Sequence, residues 1–425
     1  MNLYPVKKVL KSSVDFELSL PGSKSITNRC FIISALAGQK VFLKNVLFSD
    51  DTFYMIEVLK QLGIKIKVDQ EKREVEVEGG ILPEGKWEFF VGNAGTTMRF
   101  LTTYLSLGKG EFILDGDERM RQRPIQALVD VLRMMGVEIF CVNNNGCPPV
   151  KINASGVEGG EAFLNSKNSS QYLSSILMSS PYFRKGVCIS IEEEMVSRPY
   201  VEMTVRMMKQ FGVDVKNSNY LKFEVLPSRY VSPGVYYIEP DASSASYFLA
   251  ATAILTGRVK IHGLGKESLQ GDVYFARIME KIGCEINIEK DFIELISNGK
   301  LEGIDIDMNS TPDLVPTVAI VALFARTPTR IRNVANLRIK ESDRISALAN
   351  ELSKIGAKVK EYEDGLEIFP SLSYNNACVS TYNDHRIAMA FTIAGLKTGG
   401  ITIENPLCVS KSFPEFFDYV EKIFY

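Results

Sequence analysis

The segment SKSITNRCFIISALAG, residues 23–38, opens on small polar residues, runs into an apolar helical stretch and stops at glycine; the chain carries it in recognisable form six times. The others are NAGTTMRFLTTYLSLG (93–108), NSSQYLSSILMSSP (168–181), DASSASYFLAATAILTG (241–257), TPDLVPTVAIVALFA (311–325) and NDHRIAMAFTIAGLKTG (383–399). They recur about every 70 residues, the mark of a repeated supersecondary unit. A second helical segment follows each: DTFYMIEVLKQLG (51–63), RPIQALVDVLRMMG (123–136), RPYVEMTVRMMKQFG (198–212), GDVYFARIMEKIG (271–283), SDRISALANELSKIG (342–356) and KSFPEFFDYVEKIF (411–424). Short β-rich runs come next, such as IKIKV (64–68), and alternating strands such as REVEVEG (73–79) and GLEIFP (365–370) close the units. Each unit reads as strand, helix, strand, helix, strand, strand.

The chain is therefore an α/β protein whose six units split three and three. VSPGVYYIEPDASS (231–244), with Pro233, Gly234 and Pro240, falls at the midpoint and predicts the crossover. The expected domains are 21–238 and 239–425, with the N-terminal strand within 1–20 lent to the second. A length of 425 residues and 45% hydrophobic content suffice for two cores.

A net charge of −2, with 49 basic and 51 acidic residues interspersed, argues against a nucleic-acid coat, so any anion site is local. The seven cysteines, Cys30, Cys141, Cys147, Cys188, Cys284, Cys378 and Cys408, show no CxxC spacing and read as reduced thiols without metal. The start, MNLYPVKKVLKSS, resembles neither a signal nor a transit peptide, and no apolar run is long enough for a membrane span. A cytoplasmic monomer with no nucleic-acid or membrane partner is expected.

The ionisable residues give the repeat its chemical meaning. Lys24, Arg29, Arg99, Asp241, Asp313, His385 and Arg386 fall at or near the start of a first helix. Helix starts offer free N–H groups and partial positive charge, so convergent starts would hold a polyanion. LPGSKSITNR (20–29) sets Lys24, Ser25 and Arg29 at a strand-to-helix turn; Glu17 rules out a P-loop. A serine cap with two solvated cations fits that stretch equally. GNAGTTMR (92–99) lets backbone approach a ligand at Gly95, and RMRQRP (119–124) gathers arginines, with Pro124 placing Arg123 beside a helix start. A solvated face is the alternative for the arginines.

Ser169, Ser170, Gln171, Ser197 and Tyr200 offer neutral donors or plain caps. Asp313 is a cap or a base. In NLRIKESDR (336–344), Lys340, Glu341 and Arg344 make a mixture common on surface helices. His385, beside Arg386, could be structural, and Lys411 is read as opening the sixth second helix. The recurrence of these groups at equivalent points decides more than any one of them.

Together LPGSKSITNR, GNAGTTMR, RMRQRPI, SSQYL, VSRPY, DASSASYF, the Asp313 segment, NLRIKESDR, YNDHRIAMAF and SKSFPEFF resemble the 5-enolpyruvylshikimate 3-phosphate synthase family, in family order over essentially the whole chain. The resemblance implies two similar domains, each three βαβαββ units packed as an inside-out α/β barrel, closing on substrate. It implies transfer of the enolpyruvyl group of phosphoenolpyruvate to the 5-hydroxyl of shikimate 3-phosphate, with no metal or organic cofactor. Carried onto this sequence, it implies a shikimate 3-phosphate shell of Lys24, Ser25, Arg29, Ser169, Ser170, Gln171, Ser197, Tyr200, Asp313, Asn336 and Lys340. The implied phosphoenolpyruvate shell is Lys24, Gly95, Arg123, Gln171, Glu341, Arg344, His385, Arg386 and Lys411.

Within that resemblance Asp313 is the expected base and Glu341 the first choice of acid, with Lys24 and Lys411 as rivals and His385 a further catalytic candidate. Phe100 stands where the family commonly has Pro or Leu, while Gly95 leaves room for glyphosate, so sensitivity to it is expected. A related enolpyruvyl transferase for a UDP-amino sugar would carry a cysteine in Glu111–Pro124, which has none. An RNA-end-binding scaffold would need a basic, aromatic stripe, and the chain has one tryptophan, Trp87.

Overall fold

The computed structural model describes residues 2–425, which divide into two compact units: 22–238, and the chain up to Pro21 together with Glu239–Tyr425. The first unit carries helices α1 (Lys24–Leu36), α2 (Asp50–Gln61), α3 (Gly95–Ser106), α4 (Gln126–Met134), α5 (Gln171–Ser179) and α6 (Arg198–Gln210). The second carries α7 (Ala242–Leu255), α8 (Tyr274–Ile282), α9 (Val315–Ala322), α10 (Arg344–Lys354), α11 (His385–Thr398) and α12 (Phe416–Phe424).

In unit 22–238 the odd-numbered helices are buried nearly all round, as their lack of a polar stripe demands. Hydroxyl side chains let them approach closely: Thr103 Oγ1 lies 2.5 Å from Ser175 Oγ, which donates to the Arg99 carbonyl at 2.6 Å. The even-numbered helices bury one face, as in α4, where Leu128, Val129, Val131 and Leu132 are enclosed. Three four-stranded sheets surround the inner helices, all with one pairing plan. In one, Glu84–Phe90 runs parallel to Lys109–Asp115, which pairs antiparallel with Val150–Ser155 and that with Glu138–Cys141. The helix between the first two strands makes their pairing parallel, while the last two, joined by a loop alone, pair antiparallel. Alternation sets the faces: in Glu74–Glu78, Val75 and Val77 are buried while Glu76 meets Lys40 at 3.0 Å.

The first repeat departs from a strictly serial chain. Its leading strand position is filled by Val235–Tyr237, parallel to Lys40–Lys44. Val14–Ser19, which precedes α1, lies in the other unit, parallel to Gly257–His262. That unit has two four-stranded sheets of the same plan and one of three strands. The sixth repeat ends at α12 and lacks the expected closing strand pair; Leu3–Pro5 takes the antiparallel place beside Ile401–Glu404. Phe248 on α7 sits at the centre of an aromatic cluster with Phe413, Phe416, Tyr419 and Phe424, at centroid distances of 6.0–6.5 Å. This docks α12 on the core.

Two expected helix starts are corrected. Pro124 does not open α4: a short 3-10 turn, Met120–Gln122, precedes it, and α4 begins at Gln126, so Arg123 lies in the extended link between them. Lys411 does not open α12 but ends the turn Pro406–Lys411, with α12 starting at Phe416.

Candidate active site

The starts of the inner helices carry two clusters, one in each unit. In unit 22–238, Ser23 caps α1 by accepting from the Ile26 amide at 3.5 Å, so Lys24 begins the helix and Arg29 lies one turn on. Lys24 Nζ is 3.1 Å from Asp51 Oδ2, a nearly buried pair. Arg29 is buried, and its guanidinium donates to neutral oxygens: Thr204 Oγ1 (2.7 Å), the Ser25 carbonyl (2.9 Å), the Tyr200 carbonyl (3.2 Å) and Ser174 Oγ (3.3 Å). Among the described residues no carboxylate lies within ion-pair distance of it, and burial pushes its pKa down to about 10. A buried cation without a counter-ion is costly, and an anionic ligand is what would offset it.

Gly95 begins α3 between two arginines. A Cβ there would lie 2.5 Å from Arg99 Nη1 and 2.5 Å from Arg123 Nη2, so any larger residue must displace both guanidiniums. Arg123 Nη1 donates to the Asn93 carbonyl (3.0 Å) and side-chain oxygen (2.8 Å), and Arg99 Nη1 to Gln171 Oε1 (3.0 Å). Gln171 Nε2 in turn donates to Thr96 Oγ1 at 3.1 Å, and its backbone amide to Ser169 Oγ at 3.2 Å. Ser170 is buried at the start of α5. Ser197 holds a left-handed backbone (φ 56°) ahead of α6, where its carbonyl accepts the Tyr200 amide at 3.1 Å. Phe100 is fully buried, its ring 5.2 Å from the Arg29 guanidinium.

In the second unit Asp313, in the turn Pro312–Leu314 ahead of α9, accepts from Arg344 Nη1 at 2.9 Å and Arg386 Nη2 at 2.8 Å. Burial alone would raise its pKa, but Arg386, Arg344 and Lys340 together outweigh that and hold it well below the usual carboxylate range. Arg344 also donates to Asp384 Oδ2 (2.8 Å) and Glu341 Oε2 (2.8 Å). Asp384 caps α11, accepting from the Arg386 amide (2.9 Å), and receives the Ser342 hydroxyl (3.0 Å). This fixes the backbone at His385 and Arg386. His385 is 1% exposed, with Nδ1 3.8 Å from Asp384 Oδ1. Asn336 is buried with neither amide atom hydrogen-bonded, and Lys411 is buried at the end of its turn.

Sequence reasoning passed over Asp51, Asn93 and Asp384 and left Arg99 outside the implied ligand shells. Asp384 and Asp51 read locally as helix-start acids, a signal that marks caps far more often than sites. Their pairing with Arg344 and Lys24 is a tertiary fact.

An α/β fold of two units built from one repeated module, with arginines buried at or near helix starts and Asp313 held ionised by Arg344 and Arg386, is the architecture of an enzyme of the enolpyruvyl transferase fold. The family profile "EPSP synthase (3-phosphoshikimate 1-carboxyvinyltransferase)" matches residues 10–420. A 3-phosphoshikimate 1-carboxyvinyltransferase of Vibrio vulnificus is 47% identical over 98% of this chain and 97% of the relative. One of Sulfurovum sp. is 44% identical over 96% and 97%. The solved EPSP synthase of Acinetobacter baumannii superimposes with a TM-score of 0.83 at 26% identity, covering 100% of this chain and 98% of that one. The chain belongs to the EPSP synthase family.

Proposed function

We propose that the chain transfers the enolpyruvyl group of phosphoenolpyruvate to the 5-hydroxyl of shikimate 3-phosphate, releasing phosphate, in aromatic amino acid biosynthesis. The observation that carries the reading is Asp313, kept ionised by two arginines that are themselves fit to take anions. Lys24, Ser25, Arg29, Ser169, Ser170, Gln171, Ser197, Tyr200, Asp313, Asn336 and Lys340 are the residues we assign to the acceptor. Lys24, Gly95, Arg123, Gln171, Glu341, Arg344, His385, Arg386 and Lys411 hold the donor. Phosphoenolpyruvate brings a phosphate and a carboxylate, and fixed cations offset that charge as water leaves.

The chemistry is addition, then elimination. The 5-oxygen attacks the donor's central carbon as Asp313 takes the hydroxyl proton and a general acid delivers one to the methylene carbon. The tetrahedral adduct then loses phosphate with its bonding electrons, and a proton leaves the new methyl group to restore the double bond. Arg344 and Arg386 make Asp313 a weak base while they hold it; engaging the donor's anionic groups instead raises its proton affinity at the step that needs it. Glu341 remains our first choice of acid. In its ion pair with Arg344 it must first gain a proton, so Lys24 and Lys411 stand as rivals, with His385 beside them.

We further propose inhibition by glyphosate, a small anion suited to the arginines flanking Gly95. We also propose a monomeric enzyme of the cytoplasm; among the described residues no helix is long and apolar enough to cross a membrane. Asp313→Ala should leave shikimate 3-phosphate binding measurable by calorimetry while turnover falls about 10²- to 10⁴-fold. Near-normal turnover would remove Asp313 from the mechanism.

A further inference from the structure

Behind Arg386 lies a second carboxylate that the reaction as written does not use. Asp272, in the turn Gly271–Val273 ahead of α8, is 3% exposed. It accepts the hydroxyl of Ser243, in the first turn of α7, in a short hydrogen bond. A serine oxygen that donates its proton keeps lone pairs for another donor. Arg386 Nη2, which donates to Asp313 at 2.8 Å, lies 3.5 Å from that same oxygen. One guanidinium nitrogen, Nη2, thus meets Asp313 directly and Asp272 through Ser243. Three repeats supply the chain of contacts: α7 and the α8 turn from the fourth, Asp313 from the fifth, Arg386 from the sixth.

We propose that Asp272 and Ser243 are positioning residues for Arg386, a second anchor that keeps its guanidinium on the donor's anionic group while Asp313 takes up a proton. The inference rests on the roles given above to Asp313 and Arg386. When Asp313 is neutralised its attraction for Arg386 falls, and an arginine tied nowhere else would be free to change rotamer. A second acceptor at the same nitrogen, itself held by a buried carboxylate, keeps the cation in place. Asp272 touches no reacting atom in this scheme; it acts through Ser243.

The test compares Ser243→Ala, Ser243→Thr and Asp272→Asn with the unaltered enzyme, by steady-state phosphate release with each substrate varied in turn, beside thermal melting and calorimetric binding of shikimate 3-phosphate. Ser243→Ala should raise KM for phosphoenolpyruvate about tenfold, the effect of one lost hydrogen bond to a charged group. KM and Kd for shikimate 3-phosphate should stay within about twofold. Asp272→Asn should shift the donor KM in the same direction, and Ser243→Thr, which keeps the hydroxyl, should restore it. Unchanged donor KM in both Ser243→Ala and Asp272→Asn, or equal weakening for both substrates alongside a lowered melting point, would overturn the inference while leaving the activity standing. Absence of phosphate release from the unaltered enzyme would instead overturn the activity reading and this one with it.

Discussion

Replacing Gly95 by alanine puts a methyl group 2.5 Å from both Arg99 Nη1 and Arg123 Nη2, and 2.8 Å from Arg123 Cζ. Unstrained carbon contacts lie at about 3.5–4 Å, so both guanidiniums must retreat by about 1 Å. Neither moves freely. Arg99 Nη1 is held by the Gly95 carbonyl at 3.1 Å and Gln171 at 3.0 Å, and Arg123 Nη1 by both oxygens of Asn93. The retreat forfeits one charge-assisted hydrogen bond, or the equivalent contact to the donor, at about 1.5–3 kcal/mol. That corresponds to a rise of about 10- to 100-fold in KM for phosphoenolpyruvate. Phosphate release, with the donor varied at saturating shikimate 3-phosphate and then the reverse, reads the effect. The acceptor's KM should move less than about twofold, and the fall in melting point should be modest, because alanine's helical preference over glycine, up to about 1 kcal/mol, offsets part of the strain. Inhibition by glyphosate should weaken in step with donor binding. An unchanged donor KM, or equal loss for both substrates, would refute the placement of the donor beside Gly95.

Three further outcomes follow from the geometry. Arg29→Lys removes the planar fork that spans Thr204, Ser25, Tyr200 and Ser174, and should raise KM for shikimate 3-phosphate at least tenfold with the donor KM little changed. Phe248→Ala empties the centre of the α12 cluster and should cost about 3–5 kcal/mol in urea unfolding. Asp272 is raised to about 6 by burial first, then by Asp313 and Asp241, against the lowering influence of Ser243 and Arg386. A carboxyl raised on folding favours the native state at low pH and loses that contribution as pH climbs from 3.8 to about 6. Asp272→Asn should therefore gain stability relative to the unaltered chain between pH 4 and 7, by about 3 kcal/mol at most, as measured by urea midpoints across that range. A constant difference would contradict the buried charge.

The architecture was readable because the inner helices share one pattern, small polar residues leading into an apolar run without a charged stripe, repeated about every 70 residues. What sequence could not show is where equivalent strands go. Val14–Ser19 and Val235–Tyr237 have no local feature saying that each completes a sheet begun elsewhere in the chain, and Leu3–Pro5 takes one strand's place in the missing last hairpin for the same tertiary reason. Pro124 and Lys411 misled by position: proline suits a 3-10 turn or an extended link as well as a first helical turn. Within the clusters the residue types were legible, but their pairings were not. Arg344 meets Asp313 across two helix starts of the fifth repeat and Asp384 from the sixth, and Lys24 meets Asp51 across two helix starts of the first, so each pairing is set by how helices pack and not by local sequence.

The central claim is chemical: this chain moves an enolpyruvyl group between two small phosphorylated acids. Purified protein given phosphoenolpyruvate with shikimate 3-phosphate, each alone, and phosphoenolpyruvate with a UDP-amino sugar or RNA ends tests it, with released phosphate and product mass followed together. Phosphate is expected only when shikimate 3-phosphate and phosphoenolpyruvate are both present, matched mole for mole by the acceptor plus one enolpyruvyl group. Phosphate with the UDP-amino sugar instead, or none in any mixture, would contradict it.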